Sequence, residues 1–208
     1  MRRLFLFAVV LTIMIGAGSA YAGELKVGPN YNLIWIDRDS NKNVQEGAGS
    51  IHLSYLDGVL LPYLYCVDID RTIYVQGTYS ATVNQEGKIH DNSLLNDSAD
   101  EVAYLLAKYG SDAGNDPTKS AALQAAIWHV MYRYNLGDDS RNDPLRDYYN
   151  TYITDVGQGD VSQFTWISPA SGDTKYQGLV TRVPEPTLIL LLGIGLAAVS
   201  MAASRIKN

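Results

Sequence analysis

Cysteine is almost absent from this chain, whose 208 residues contain a single one, Cys66. One thiol excludes an internal disulfide and leaves three roles for the side chain: an inert buried group, half of an intermolecular disulfide, or a reactive group. The sequence also lacks a phosphate-binding glycine loop, a cluster of metal ligands and a paired-carboxylate signature. We therefore expect no metal and no cofactor.

Positive charge is scarce as well, since 16 Lys and Arg residues stand against 22 Asp and Glu, for a net charge of −6. Several of the cations lie in the two terminal segments, so the part of the chain between them is more acidic than the whole. An acidic body argues against nucleic acid and against anionic membrane surfaces as partners. The cations in question are Arg2, Arg3, Arg205 and Lys207.

Long apolar runs are missing except at the two ends of the chain. The first run, residues 4–15, follows two arginines, and Ala20 and Ala22 then form a small-residue cleavage site. A basic region, an apolar run and such a site, in this order, predict a secretory signal peptide over residues 1–22, with Gly23 opening the mature chain. A short transmembrane anchor is the alternative, but the run is too short for one.

The second apolar run, residues 187–203, is predicted to cross a membrane as a helix before the chain ends in two cations. Cations after the span place the C-terminus in the cytoplasm and the body outside. The motif V-P-E-P stands just before this run, at residues 183–186. With the motif, the apolar run and the basic end, the tail, residues 183–208, resembles the PEP-CTERM sorting signal of Gram-negative, exopolysaccharide-making bacteria. The resemblance implies an inner-membrane anchor, processing by an exosortase, and a final location at the cell surface or in the extracellular matrix; an anchor that is never cleaved is the alternative. The sorting motif is Val183, Pro184, Glu185 and Pro186.

Between these signals, residues 23–182 are enough for one domain with a proper core. Alternating apolar and polar residues from 31 to 89, separated by turn clusters, predict antiparallel strands. The period becomes helical over about residues 97–155, and two strand-like stretches follow. We predict an α+β fold: an antiparallel β-sandwich or barrel-like body with an inserted helical bundle, followed by a transmembrane sorting helix.

Local signals indicate where the helices begin and end. Ser98 and Glu101 form a capping box before the first helix, and Gly110 is the predicted stop. Asp116 and Pro117 predict the start of the second helix. This helix is apolar nearly all round, so we expect it at the centre of the domain.

The lone thiol has a candidate partner on that central helix. Cys66 lies in YLYCVDID, a predicted strand on which it shares a face with Asp68. Gln124 and Trp128 stand one turn apart in LQAAIW, with alanines beside the glutamine. A buried glutamine must be satisfied, because an unpaired amide costs about 1–3 kcal/mol. One solution is chemical: a thiol that meets the Gln124 side-chain carbonyl can displace ammonia and leave an internal thioester.

These two stretches resemble the motifs of the thioester domains of bacterial surface adhesins. That family carries an aromatic residue, Cys, an aliphatic and an acidic residue, as at 65–68, and later an aliphatic residue, Gln, any residue, Ala, an aliphatic residue and Trp, as at 123–128. The resemblance implies a Cys66–Gln124 cross-link and a helical bundle that carries the glutamine. We expect Trp128 to pack over this bond and to exclude water. Asp68 has three possible roles, which are to hold the geometry of the bond, to assist its formation, or only to satisfy a main-chain donor. The supporting residues are Tyr65, Asp68 and Trp128.

By the same resemblance, the chain is expected to be an exported adhesin that attaches covalently to an amine or hydroxyl, on a lysine-bearing protein or a polysaccharide. Each molecule reacts once, with Cys66 leaving as a thiolate of low pKa, so we expect acyl transfer without turnover rather than an enzyme. A non-covalent structural protein of the polysaccharide matrix, with a silent thiol, is the alternative. A cysteine hydrolase is less favoured, because His129 points about 140° away from Gln124 on a helix.

Overall fold

The computed structural model describes residues 20–37, 43–90, 98–137 and 143–182. The predicted signal peptide up to residue 19, the sorting motif and the predicted membrane helix at 187–203 lie outside these ranges. The strands are β1 (Tyr21–Lys26), β2 (Asn30–Asp37), β3 (Asn43–His52), β4 (Tyr55–Leu56), β5 (Val59–Leu60), β6 (Tyr65–Cys66), β7 (Thr78–Asn84), β8 (Asn135–Leu136), β9 (Phe164–Ser171), β10 (Thr174–Lys175) and β11 (Leu179–Arg182). The helices are α1 (Ala99–Ala113), α2 (Pro117–Tyr132) and α3 (Asp143–Thr154), with a 3₁₀ turn at Val161–Gln163.

The strands form two antiparallel sheets. The larger has the order β5-β4-β1-β7-β9-β11-β6, with β10 pairing β9, and the smaller has the order β3-β2-β8. Alternation in the sequence explains the faces: in β7 the side chains of Tyr79, Ala81 and Val83 are buried while those between them are exposed. The predicted mixed α and β class, with antiparallel strands and a helical part, is confirmed.

The three helices lie in the chain between β7 and β9, and α2 is at their centre. It packs against α1, α3 and β3, and its apolar and small residues are buried on all sides. The long apolar stretch that predicted a central position therefore reflects contacts on every face of the helix.

Two local predictions for α1 are wrong. The Ser98 hydroxyl donates to the carbonyl oxygen of Val130 (3.1 Å) and makes no cap, because a long-range partner replaces the local one. Gly110 does not end the helix, which continues to Ala113. A Cβ at Gly110 would lie 3.0 Å from the ring of Tyr63, so the glycine is explained by close packing between α1 and the chain just before β6.

The strand predicted through YLYCVDID, residues 63–70, is also wrong in extent, since β6 covers only Tyr65 and Cys66. This short strand pairs with β11 through Leu179↔Cys66 and forms one edge of the larger sheet. Next to it, the N–H of Ile51 in β3 donates to the carbonyl oxygen of Leu64 (2.8 Å). The edge of the larger sheet thereby meets the edge of the smaller one beneath α2.

The start of the described chain overlaps the predicted cleavage site. β1 begins at Tyr21 and pairs with β7 from Tyr21↔Val83 to Lys26↔Thr78. Cleavage after Ala22 would leave residues 23–26 of this strand in the sheet. None of the helices within the described ranges combines the length and the apolar character that crossing a membrane requires.

Candidate functional site

Helix α2 carries Gln124 into the centre of the domain. The side chain of Asp116 accepts two main-chain N–H groups of the first turn, and Pro117 opens the helix, so the predicted start is confirmed. Residues 120–128 are all buried, and Gln124 is completely so. A polar side chain at this depth needs a partner for each of its polar atoms.

Gln124 finds those partners in the main chain of Cys66. The N–H of Cys66 donates to Oε1 of Gln124 (2.9 Å), and Nε2 of Gln124 donates to the carbonyl oxygen of Cys66 (2.6 Å). The side chain of Cys66 is itself buried, with 4 % of the residue exposed. Two residues 58 positions apart are thus joined by a pair of hydrogen bonds between buried groups.

The pairing completes the edge of the larger sheet. The N–H of Val67 donates to the carbonyl oxygen of Gly178, just before β11 (2.8 Å), whereas both polar groups of Cys66 go to Gln124. The side-chain amide therefore takes the place that another strand would take beside β6. It holds the acyl carbon of Gln124 against the residue that carries the thiol.

This arrangement has the elements of an acyl transfer. The main-chain N–H of Cys66 points at the carbonyl oxygen of Gln124, where negative charge would develop when a nucleophile adds to the acyl carbon. The candidate nucleophile is the thiol of the same residue, so the two hydrogen bonds already bring the thiol-bearing residue to the acyl group. The amide nitrogen, which would leave as ammonia, lies at the carbonyl oxygen of Cys66.

The electrostatics of the thiol differ from the expectation of a low pKa. Burial raises the pKa of the Cys66 thiol well above its ordinary value, and the nearby carboxylates of Asp68 and Glu46 raise it further. The thiol is therefore neutral at physiological pH. Its sulfur leaves best when it receives a proton as the C–S bond breaks, because a buried thiolate would be poorly solvated.

Asp68 lies two residues after Cys66 and is completely buried. Its carboxylate is 2.6 Å from Nη1 of Arg71, and it accepts hydrogen bonds from the Asp70 N–H (3.2 Å) and the Tyr132 hydroxyl (3.3 Å). A buried carboxylate persists only when it is paired in this way. Asp68 thus accepts from a main-chain donor, as one of the predicted roles requires, and ties the turn after Cys66 to α2.

Ser120 was missed by the sequence reasoning, although it joins three elements at this site. Its hydroxyl accepts the N–H of Ser50 in β3 (2.7 Å) and lies 3.1 Å from the hydroxyl of Tyr65 in β6. It stands one turn before Gln124 on the same face of α2. The available signal was a small polar residue four positions before the glutamine, on a helix that is otherwise apolar.

Trp128 lies one turn after Gln124 and is 1 % exposed. Its indole Nε1 is buried and has no hydrogen-bond partner among the described residues. The ring is part of the core on the helix that carries the glutamine, and its exclusion of water from a thioester stays a prediction.

His129 faces another part of the molecule. Its Nδ1 lies 3.0 Å from the carbonyl oxygen of Tyr134 and 3.1 Å from the hydroxyl of Tyr149 in α3. Within the described residues, no hydrogen bond joins this imidazole to Cys66. Cysteine–histidine catalysis needs a base within hydrogen-bond reach of the thiol, and this arrangement does not supply one.

A cleft of about 400 Å³ opens beside Cys66. One wall is formed by β3, including Gly47 and Gly49, and the other by residues 69–75 together with Gln177. The cleft gives a group from outside the protein a route to the buried pair. The charged residues that line it are Glu46, Asp70 and Arg71.

Comparison with known proteins gives one family. The family model described as the thioester domain matches residues 63–158, a stretch that contains both Cys66 and Gln124. No curated protein matches the chain. Among solved structures, the N-terminal thioester domain of a surface protein from Clostridium perfringens is 16 % identical, with a TM-score of 0.38, and the match covers 77 % of this chain and 98 % of that one. A likeness of that size carries no weight for the fold or the function.

Proposed function

We propose that Cys66 and Gln124 form an internal thioester, and that the protein uses it once to attach itself covalently to a nucleophile on a target molecule. In formation, Sγ bonds to the acyl carbon of Gln124, the C–N bond breaks, and ammonia leaves with the thiol proton. The observation that carries the proposal is the pair of hydrogen bonds that holds the Gln124 amide on the main chain of Cys66. The match of residues 63–158 to the thioester-domain model supports it.

The second candidate is a non-covalent structural protein of an extracellular polysaccharide matrix. It is favoured by the hydrogen bonds themselves, which give both polar atoms of Gln124 a partner and keep the buried glutamine stable without a covalent bond. A cysteine hydrolase is disfavoured by the position of His129. In the thioester reading the protein acts without turnover and is not an enzyme, because each acyl group is consumed by one attachment.

The proposed site of action is the cell surface or the extracellular matrix. The signal peptide at residues 1–22 would direct export, and the tail at residues 183–208 would hold the protein in the inner membrane until an exosortase-type enzyme acts at the V-P-E-P motif. The test is the mass of exported material from a cell that has this machinery, where we expect a C-terminus near Pro184–Pro186. A membrane helix that is still attached would overturn the sorting proposal and leave the thioester untouched.

The proposed target bears an amine or a hydroxyl, on a lysine-bearing protein or on a polysaccharide. The acidic balance of the chain favours a cationic partner, because its field concentrates positive groups near the surface. Labelling of a lysine-rich protein should then fall as ionic strength rises, since screening limits such attraction to about 8–10 Å. An adduct that forms only with polysaccharide, and is indifferent to salt, would reverse this preference.

The mass of the purified protein tests the thioester itself. For a protein of residues 23–182 we expect one ammonia less than the sequence of these residues requires, and we expect methylamine to add to Gln124 and to free the Cys66 thiol for alkylation. Cys66→Ala and Gln124→Ala should each abolish both effects. Gln45→Ala, which changes an exposed glutamine in β3, is the matched control and should behave as the wild type. A full mass together with a thiol that titrates from the start would favour the structural protein.

A further inference from the structure

The wall of the cleft opposite β3 contains a buried side-chain amide, that of Gln177. This residue lines the cleft and is 9 % exposed. Its main-chain N–H donates to the carbonyl oxygen of Thr72 (3.3 Å), but its side-chain amide makes no hydrogen bond with any residue that the structure describes. A polar side chain buried to this degree is normally paired, and an amide offers both a donor and an acceptor. Gln177 therefore equips the cleft to hold a ligand that has both kinds of group.

An exposed aromatic ring stands on the same wall. Tyr74 lines the cleft, and 65 % of this residue is exposed. Its main chain is fixed by the hydroxyl of Tyr79, which accepts the Tyr74 N–H (3.0 Å) and donates to the Tyr74 carbonyl oxygen (2.8 Å). Its ring meets the ring of Tyr176 edge-on, with 6.4 Å between the two centroids. The ring of Tyr74 is thus held in place while much of it is open to a ligand.

Charged groups of the cleft provide further donors and acceptors. Nη1 of Arg71 lies 2.6 Å from the buried carboxylate of Asp68, which orients the guanidinium, and 29 % of the Arg71 side chain is exposed. Asp70 is exposed on the same wall, and Glu46 lines the β3 side. The cleft therefore carries two carboxylates and one guanidinium. An anionic ligand would meet more repulsion than attraction from these three groups.

This set of groups narrows the chemistry of the ligand. An apolar molecule would leave the Gln177 amide and the charged groups without partners, at a cost in desolvation. A cation would face the guanidinium of Arg71. A sugar ring has an apolar C–H face that packs on an aromatic ring, and each of its hydroxyls both donates and accepts. An uncharged sugar therefore matches the aromatic, the amide and the charged parts of the cleft together.

We propose that this cleft binds an uncharged sugar unit of a polysaccharide without forming a covalent bond. The ring of Tyr74 packs against the C–H face of the sugar, and the Gln177 amide both donates to its hydroxyls and accepts from them. Arg71 and Asp70 bind further hydroxyls at the exposed side. The volume of about 400 Å³ lies within the range of about 300–1,000 Å³ that small-molecule sites have.

The sugar site goes beyond the proposed thioester and does not depend on it, because docking requires no reaction of Cys66 or Gln124. It would serve an adhesin and a matrix protein alike. It is also separate from the attraction of a cationic partner, which acts through the field of the whole acidic chain rather than through contacts in the cleft. Since Cys66 lines the same cleft, a docked polysaccharide would lie beside the proposed thioester.

Affinity electrophoresis of the purified Cys66→Ala protein tests the docking where no thioester can form. Native gels would contain one of two neutral polysaccharides, dextran or galactomannan, or the anionic polysaccharide alginate. We expect at least one neutral polysaccharide to retard the protein and alginate to leave its mobility unchanged. Retardation by alginate, or by none of the three, would overturn the sugar site, and the mass of the wild type would still decide the thioester separately.

Variants in the same background locate the binding in the cleft. Tyr74→Ala removes the ring from an exposed position, and we expect it to weaken the binding by about tenfold, as the loss of an aromatic anchor does. Tyr74→Phe keeps the ring and should bind as well as its parent. Gln177→Ala removes the amide and should weaken the binding by about threefold or more.

Leu33→Ala is the matched control, because it truncates a side chain of β2 that is exposed to a similar degree but does not line the cleft. We expect it to bind as its parent does. The urea midpoint of each variant shows whether the fold is retained. Equal binding by folded Tyr74→Ala and Leu33→Ala proteins would show that the sugar is bound elsewhere and would overturn the cleft as its site.

Discussion

Two of the contacts that hold the helices use opposite kinds of chemistry. At one, the neutral amide of Gln124 meets the main chain of Cys66 in the interior. At the other, the Asp155 carboxylate after α3 accepts hydrogen bonds from Tyr104 and Tyr109 of α1 and pairs with the Lys108 ammonium (2.5 Å). The side chains of Lys108 and Asp155 are 46 % and 38 % exposed, so water can replace either partner there.

The difference shows that charge is a poor guide to which contact matters. An exposed ion pair adds little stability, because each charged group exchanges contacts with water for contacts with its partner. Salt screens the remaining attraction between the two charges. The buried pair carries no formal charge, but its donors and acceptors have no alternative partner if one side is removed. The same lack of water raises the pKa of the Cys66 thiol. Stability and reactivity at this junction therefore have a common cause.

The largest effect is expected from removal of the buried amide. In a Cys66→Ala background, where no thioester can form, adding Gln124→Ala should lower the free energy of unfolding by about 2–4 kcal/mol, because a buried N–H and a buried carbonyl both lose their partner. Urea unfolding at constant pH measures the change. Gln45→Ala in the same background is the control, and an equal cost for the two substitutions would show that the main chain of Cys66 is not dependent on Gln124.

The next effect concerns the reactivity of the thiol. With the pKa of Cys66 raised in the folded protein, the fraction of thiolate is depressed at pH 8 and grows as pH rises beyond the ordinary thiol value of about 8.5. We expect iodoacetamide to alkylate the thiol freed by methylamine at least about tenfold more slowly than glutathione at pH 8. The same protein in urea should react as glutathione does. A rate in the folded protein that levels off near pH 8.5 would contradict the raised pKa.

Ser120 should have an intermediate effect. Ser120→Ala removes the acceptor of the Ser50 N–H and the partner of the Tyr65 hydroxyl, so we expect a loss of about 1–2 kcal/mol in the free energy of unfolding. Slower thioester formation, followed by mass, should accompany it because α2 is less firmly held over β6. Ser111→Ala, at an exposed position of α1, is the control. Equal behaviour of the two variants would remove Ser120 from the site.

Much of this site could be predicted from the sequence, because its signals are local or belong to short motifs. Asp116 and Pro117 signal the start of α2, and the capping contacts of Asp116 lie within the first turn. The pairing of Cys66 with Gln124 followed from two motifs and from the need to satisfy a buried glutamine. The sequence did not show how the polar atoms of Gln124 find partners. In the uncross-linked chain they make two hydrogen bonds with the main chain of Cys66.

The failures share a physical reason, which is competition from distant partners. Ser98 had the sequence of a cap, but its hydroxyl donates to Val130, 32 residues away. Gly110 matches the pattern of a helix C-terminus, but it lies within α1, where the ring of Tyr63 packs against it. The turn after Cys66 interrupts an alternating pattern because Asp68 is drawn to Arg71 and Tyr132. Val130, Tyr63 and Tyr132 are all distant along the chain, whereas Arg71, three residues after Asp68, is a local partner.

The smallest effect is expected at the exposed contact between Lys108 and Asp155. It tests whether exposure is what makes this contact weaker than the buried one. Lys108→Ala removes the ammonium beside Asp155 but leaves Tyr104 and Tyr109 as hydrogen-bond donors, and solvent reaches the carboxylate. We expect a shift in the urea midpoint smaller than that of Ser120→Ala, and a shift that declines further when salt is added, because screening weakens an exposed pair already in the wild type. A shift in the urea midpoint as large as that of Gln124→Ala, and insensitive to salt, would contradict this. It would mean that the contacts of Asp155 hold α1 and α3 together as firmly as the buried amide holds α2 to β6. Exposure would then not be what separates the two contacts.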